Sequence, residues 1–366
     1  MFVSRASLLD FRNYENLRLD LGQGVNILCG ANAQGKTSFL EAIGFCATGR
    51  SRRTSFDREL VRFQAREAHM HVEVTADNVT DRIAVHLRRE GPKGFAVNGL
   101  PVRRLGDLFG TLLVVMFSPE DLQLVKSGPA ERRRFYDMEL CQLSPVYYYE
   151  LQQYYKILKQ RNALLKRLQK SRDAALRESL SAWDGQLVAY GLRVMAHRRR
   201  FTEKIARLSA AVHAGVTQDT EALRVVYKPN VTEEEFADKL RRNIDRDILL
   251  GATGAGIHKD DAVFLINGYD ARLYGSQGQQ RTVALSLKLA EMALIIEDKK
   301  ETPVLLLDDV FSELDESRQK CLLRSISGVQ TILTCTGVED ILRDYARNAD
   351  THLYTVENGT ISERKM

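Results

Sequence analysis

Residues 30–37 of the 366-residue chain, GANAQGKT, fit the pattern G-x-x-x-x-G-K-[ST]. An apolar run, Val25 to Cys29, precedes them and the helix-forming SFLEAIGF follows, which is the strand-loop-helix setting a phosphate-binding (Walker A) loop needs. Gly30 and Gly35 let the backbone wrap closely, and the N–H groups of Ala31, Asn32, Ala33 and Gln34 can turn toward an anion at the helix N-terminus. Lys36 would reach the β- and γ-phosphates and Thr37 would offer a hydroxyl to Mg²⁺. The expected ligand is therefore ATP with Mg²⁺.

A complementary half appears near the other end, in PVLLLDDVFSELD at 303–315. Its continuous apolar run predicts a parallel strand buried on both faces, and the run ends in two carboxylates. Asp308 would hold Mg²⁺, and Asp309 would polarise an attacking water or sense the γ-phosphate. Lys36, Asp308 and Asp309 are thus the candidate catalytic residues. Asp308 lies 272 residues after Lys36, a gap that small kinases and GTPases rarely leave but that an ATPase with a large insertion in one nucleotide site does.

Between the halves, Ser276-Gln277-Gly278-Gln279-Gln280 precedes a helix-forming stretch and resembles the LSGGQ signature of ABC ATPases. Such a loop offers a hydroxyl, a glycine backbone and a helix N-terminus to the γ-phosphate held by a second copy. An ordinary N-cap by Ser276 explains the same residues.

The elements that must carry these groups follow from periodicity. Residues 1–30 suggest short strands, and residues 68–88 alternate apolar and polar as half-buried strands do. Asn98-Gly99, Asn267-Gly268 and Asn358-Gly359 each suit a two-residue hairpin turn. The middle differs: no glycine occurs between Gly128 and Gly185 and no proline between Pro145 and Pro229, which predicts long helices, with Gly185 and Gly191 flanking possible breaks. From Glu150 to Arg207 there are 14 lysines and arginines against five acids, more than the whole net charge of +5.

Composition narrows the function classes. Apolar residues make up 44% and charged residues 28%, and no run approaches the ~20 apolar residues of a membrane span. The opening MFVSRASLLDFRNY lacks the apolar core of a secretory signal, so a cytoplasmic location is expected. Five cysteines, odd in number and nowhere spaced Cys-x-x-Cys, make neither a disulfide framework nor a zinc site.

Taken together, the phosphate loop, the signature-like loop, the Asp pair with SELD (312–315) and FRNY (11–14) resemble the RecF family of SMC-like ABC ATPases. The likeness extends to SRRTSFDRELVR (51–62), FSPEDLQLVKSGPAERRRFYD (117–137) and GIHKDD (256–261). It implies an α/β fold: a two-lobed ABC/SMC-type P-loop ATPase head with antiparallel β additions and a short helical arm between the Walker A and Walker B halves. The expected division is residues 1–118 for the N-terminal half of the first lobe, 119–245 for the helical arm, 246–300 for the signature segment and 301–366 for the C-terminal half of the first lobe.

The resemblance further implies an ATP-dependent homodimer that binds single-stranded, double-stranded and gapped or junction DNA. It implies slow, DNA-stimulated hydrolysis and work with RecR and RecO to load RecA, linked to the SOS response, at the nucleoid and away from membranes. By position, Arg12 and Asn13 would touch nucleotide, Arg53 would lie near the phosphates and Pro119-Glu120-Asp121 would occupy the lobe-coupling region. Near Thr336 no switch histidine is present, Asp309 stands where many relatives have Glu, and the family's Gly-Pro-His-Arg-Asp-Asp stretch is Gly256-Ile257-His258-Lys259-Asp260-Asp261 here. A nucleotide-binding subunit of a membrane transporter shares the same motifs and is the alternative. Candidate DNA contacts are Arg132, Arg133, Arg134, Lys159, Arg198 and Arg199, whose competing role is a solvated helix surface.

Overall fold

The computed structural model describes residues 1–171, 173–337 and 350–364. Arg172 of the basic segment and the last three residues of TILTCTGVED (331–340) lie outside the described residues. The chain forms two compact units, one of Met1–Asp121 with Leu285–Met366 and the other of Leu122–Ala284.

In the first unit, four short apolar runs become parallel strands because they are buried along their length, with only Cys29 at the end of the first partly exposed: Val25–Cys29, Val114–Phe117, Val304–Asp308 and Thr331–Cys335. The six-stranded sheet has the order Thr360–Arg364, Thr351–Glu357, Val25–Cys29, Thr331–Cys335, Val304–Asp308, Val114–Phe117, antiparallel only at the Thr360–Arg364 edge. A second six-stranded sheet is wholly antiparallel and is built around Phe2–Phe11, Glu67–Ala76 and Val79–Arg88. The helix Lys36–Thr48 shares one apolar core with both sheets through Phe39, Leu40, Ile43 and Phe45. This is the α/β architecture expected, with the antiparallel additions in place.

All three Asn-Gly turns close hairpins, with positive φ at both residues: 53° and 80° at 98–99, 49° and 88° at 267–268, 47° and 72° at 358–359. A fourth turn at Asp77-Asn78 (47° and 63°) joins the long hairpin. It escapes an Asn-Gly search because Asp and Asn also tolerate this conformation.

In the second unit, helices Pro129–Leu143, Pro145–Leu168 and Leu180–Thr217 pack with a three-stranded sheet, Leu223–Lys228, Asp261–Ile266 and Tyr269–Asp270. The expected breaks at Gly185 and Gly191 do not occur: the last helix runs unbroken for 38 residues. Gly191 serves close packing instead, since a Cβ there would sit 2.5 Å from Phe236 and 3.3 Å from Tyr154.

The basic segment is sorted by its partners. Arg161 is fully buried, donating to Asp184 at 2.6 Å, Asp247 at 2.7 Å and Thr253 at 2.8 Å. Arg198 is buried between Asp137 (2.7 Å) and Asp260 (2.8 Å) and also donates to the Ile257 carbonyl. Arg132 is buried against Asp261 at 2.6 and 3.1 Å. Arg132 and Arg198 are therefore corrected from DNA contacts to internal ties: each faces a carboxylate from a distant segment, which desolvates the guanidinium and leaves it no free surface. Arg133 is half-buried and donates to the Asp260 carbonyl. Arg134, Lys159 and Arg199 are exposed, the last paired with Glu233.

Candidate functional site

The strand Val25–Cys29 delivers the chain at Gly30, and the loop closes into the helix at Lys36. Gly35 has φ of 121°, and a Cβ there would lie 2.6 Å from Asn13 Nδ2 and 2.9 Å from the Tyr14 hydroxyl, so only glycine fits. Gly30 is similarly confined, with the Val356 carbonyl oxygen 2.3 Å from where a Cβ would stand. The Lys36 ammonium is nearly buried and donates to the Gly30 and Ala31 carbonyls at 2.6 and 2.8 Å. It is thereby folded back over the loop whose N–H groups would cradle phosphate.

Thr37 Oγ1 donates to Asp308 Oδ1 at 2.8 Å, which joins the two motif halves across 271 residues of chain. Thr334 donates to the same oxygen at 2.8 Å and receives the Asp309 backbone N–H at 2.9 Å. Asp309 is held at φ of 51°, a left-handed position that Asp tolerates better than most residues. Burial raises the Asp308 pKa, opposed by the hydrogen bonds from Thr37 and Thr334, while Glu120 adds to the rise and Arg53 counters it. A carboxylate and a hydroxyl in contact form a hard, all-oxygen donor set of the kind Mg²⁺ takes.

The raised Asp308 pKa carries a sign. Its ionised form costs stability at neutral pH, and the cost fades as pH falls through the raised value toward 3.8. Asp308→Asn keeps an oxygen for both hydroxyls, so the nucleotide-free protein is expected to gain about 0.5–2 kcal/mol, most at pH 7, while Mg²⁺-dependent nucleotide binding is lost. Thermal melting with and without Mg-ATP checks both; a variant less stable than the parent at pH 7 contradicts the sign.

Several supports of the phosphate loop lie outside the loop itself. Asn13 Nδ2 donates to the Gln34 carbonyl at 2.9 Å, the Gly359 N–H donates to that carbonyl at 3.1 Å, and the Asn358 N–H donates to Gln34 Oε1 at 2.7 Å. The 358–359 turn therefore braces the phosphate loop. Tyr14 donates to the Gly35 carbonyl at 3.0 Å. Arg12, expected at the nucleotide, forks onto Glu41 with two bonds of 2.9 Å and reaches the Glu59 carbonyl at 3.0 Å. This bidentate pairing fastens the loop's surroundings. Thr334 left only a faint signal in the sequence, one of two hydroxyls in TILTC.

The signature-like loop forms a capping box. Gln279 N–H donates to Ser276 Oγ at 3.2 Å, and Ser276 N–H donates to Gln279 Oε1 at 2.9 Å, starting the helix Gln277–Lys299. Ser276 and Gln277 are exposed, Gly278 is half-buried, and Gln279 also donates to Glu221 at 2.8 Å. Gln280 is a correction: it is buried and donates to the Ala271 carbonyl at 2.9 Å, because one helical step past the box turns it inward. In GIHKDD, His258 is placed by the Tyr154 hydroxyl (2.8 Å) and the Thr253 carbonyl (2.9 Å), a satisfied histidine whose pKa burial lowers.

The family model for the RecF/RecN/SMC N-terminal domain matches residues 2–361. The DNA replication and repair protein RecF of Lachnoclostridium phytofermentans is 48% identical over 99% of this chain and 100% of its own. The chain belongs to the RecF family. The solved structure of the recombination mediator protein RecF with ATP, in the RecFOR pathway, superposes with a TM-score of 0.92 at 33% identity, over 100% of this chain and 98% of that one. An Smc head domain from Pyrococcus yayanosii shares the fold at a TM-score of 0.58 and 14% identity, over 100% of this chain and 97% of that one. RecF-family membership makes the protein an SMC-like ATP-binding head and sets the transporter reading aside. Among the described residues no helix is long and apolar enough to cross a membrane.

Proposed function

We propose that this RecF-family protein is an ATP-gated DNA clamp for replication-coupled repair. Two copies enclose two Mg-ATP molecules, each bound by Lys36, Thr37 and Asp308 of one copy and capped by Ser276, Gln277, Gly278 and Gln279 of the other. Asp309 activates or senses the attacking water, and slow, DNA-stimulated hydrolysis reopens the pair. The observation that carries this is the 2.8 Å contact of Thr37 with Asp308, which brings together the hydroxyl and the carboxylate that this reading assigns to Mg²⁺.

When bound, Mg²⁺ would supply charge neutralisation between the phosphates. The chain's own contribution is to orient: the glycine loop positions the phosphates, Lys36 places a cation beside them, and Thr334 holds both Asp308 and the Asp309 backbone. The relative of known structure, described as acting in the RecFOR pathway, supports RecR and RecO as partners; RecA loading and the SOS response are the downstream steps that this reading expects. DNA is held by backbone charge on single-stranded, double-stranded or gapped forms through exposed cations such as Arg134, Lys159 and Arg199. The setting is the cytoplasm, at the nucleoid.

Light scattering tests the central step: dimers are expected with Mg-ATP and single subunits with ADP or no nucleotide. A single subunit at saturating Mg-ATP overturns the composite site.

A further inference from the structure

Two thiols meet directly behind the phosphate loop. Cys29 ends the strand that enters Gly30, and Cys335 ends the neighbouring parallel strand, in register with it. Their Sγ atoms are 2.9 Å apart. Neighbouring strands lie ~4.7–4.9 Å apart, inside the 4.4–6.8 Å range of Cα separations that a disulfide spans, and the bond needs the sulfurs to close to about 2.05 Å.

We propose that Cys29 and Cys335 are a reversible disulfide-forming pair that reports peroxide to the nucleotide site. The two are unequal in the way such pairs require. Cys29 is partly exposed while Cys335 is buried. The Cys29 thiol pKa is lowered, first by its hydrogen bond with Cys335 and then by the Lys36 ammonium and the Arg364 guanidinium, against the opposing effect of burial. The Cys29 thiolate attacks a peroxide oxygen, the O–O bond breaks, and the leaving hydroxide takes up the proton that the thiol gave up, so that sulfenic acid and water form. The Cys335 sulfur, giving up its proton, then attacks the Cys29 sulfur; the S–O bond breaks and a second water leaves. Two thiols lose two electrons in total and the peroxide gains them.

The consequence follows from what the strand ends hold. The Gly30 N–H donates to the Cys335 carbonyl at 3.3 Å, and the Gly30 carbonyl is one of the two that anchor Lys36. Gly30 is also hemmed in by the Val356 carbonyl, so the strand end cannot move without moving the loop. Drawing the sulfurs together displaces the Gly30 peptide and, with it, the ammonium. The effect on nucleotide rests on the site proposed above; the linkage itself does not.

The full chain is treated with hydrogen peroxide, alkylated, digested and mapped, and ATP affinity is measured before oxidation, after it and after dithiothreitol. A linked peptide containing Cys29 and Cys335 is expected, with ATP affinity reduced by about tenfold or more, as for one lost charge-assisted contact, and restored on reduction. Cys29→Ser should abolish both the linkage and the peroxide sensitivity; mapping of the unsubstituted chain needs no variant. Absence of the linked peptide, or a linked peptide with unchanged affinity, overturns the proposal. A reduced chain that never binds ATP overturns the nucleotide site and the switch together, while the linked peptide would still report the thiol pair.

Discussion

A Lys36→Met chain is expected to keep its fold and lose ATP. The ammonium is nearly buried, and its bonds to the Gly30 and Ala31 carbonyls tie the loop to itself. Methionine matches the stem of lysine without the charge, so the nucleotide-free protein loses two hydrogen bonds but also a desolvated cation, and its melting temperature should shift little. Binding is different because the phosphates meet no cation at the loop. Charge-assisted hydrogen bonds contribute about 1.5–3 kcal/mol each, so losing two weakens ATP by roughly 10²- to 10⁴-fold. Isothermal titration with Mg-ATP reads the loss directly, and ATP-driven dimerisation should vanish with it. Lys36→Arg should still bind while releasing phosphate poorly, since the planar fork places its charge differently. Affinity within a few-fold of the parent in Lys36→Met, or dimers that persist, would remove Lys36 from its role.

The second large effect lies far from the motifs. Arg198→Met should destabilise the second unit by about 3–5 kcal/mol, the usual outcome of removing one partner of a buried ion pair. Asp260, fully buried, would keep only its bonds from Tyr227 and the Asn230 N–H, and Asp137 would keep the Tyr147 hydroxyl. At roughly 2–4 °C per kcal/mol for a unit of this size, the transition should fall by about 6–20 °C. The loss has a pH signature. Burial already raises the Asp260 pKa, opposed chiefly by Arg198. Without the arginine the carboxyl protonates more readily, so the gap from the parent should narrow as pH falls toward 5. Arg198→Met with Asp260→Asn should regain part of the stability at neutral pH. Lys159→Ala makes the contrast: exposed, it should cost at most about 0.5 kcal/mol of stability. If it meets a DNA phosphate it should lower the salt slope of binding by ~0.9. Equal melting of Arg198→Met and the parent would show that the cluster contributes little to the fold.

These two residues mark how far a linear reading reaches. GANAQGKT was legible because its chemistry is local: the glycines, the lysine and the helix start lie within eight residues, and the preceding apolar run can only be a buried strand. The Asn-Gly hairpins were legible for the same reason, since positive φ is a preference of the two turn residues themselves. The long helices followed from the missing glycine and proline. By contrast, Gly185 and Gly191 suggested breaks that Leu180–Thr217 does not show; Gly191 instead packs closely against Phe236 and Tyr154.

Sequence by itself determined the class of machine: a phosphate loop, a distant carboxylate pair, a serine-glutamine helix start and a basic helical insertion, in an order that marks an SMC-like head. Tertiary structure alone decided which charges are working surface and which are internal ties. Arg132, Arg133 and Arg134 are adjacent, yet one is buried, one half-buried and one exposed, because each helical step turns a side chain by about 100°. Which of those directions is inward depends on Asp260 and Asp261, more than 120 residues away. Thr334 beneath Asp308, Glu41 in the fork of Arg12 and Cys335 against Cys29 share that origin. Each contact is set by packing between segments distant in the chain, about which local propensity carries no information.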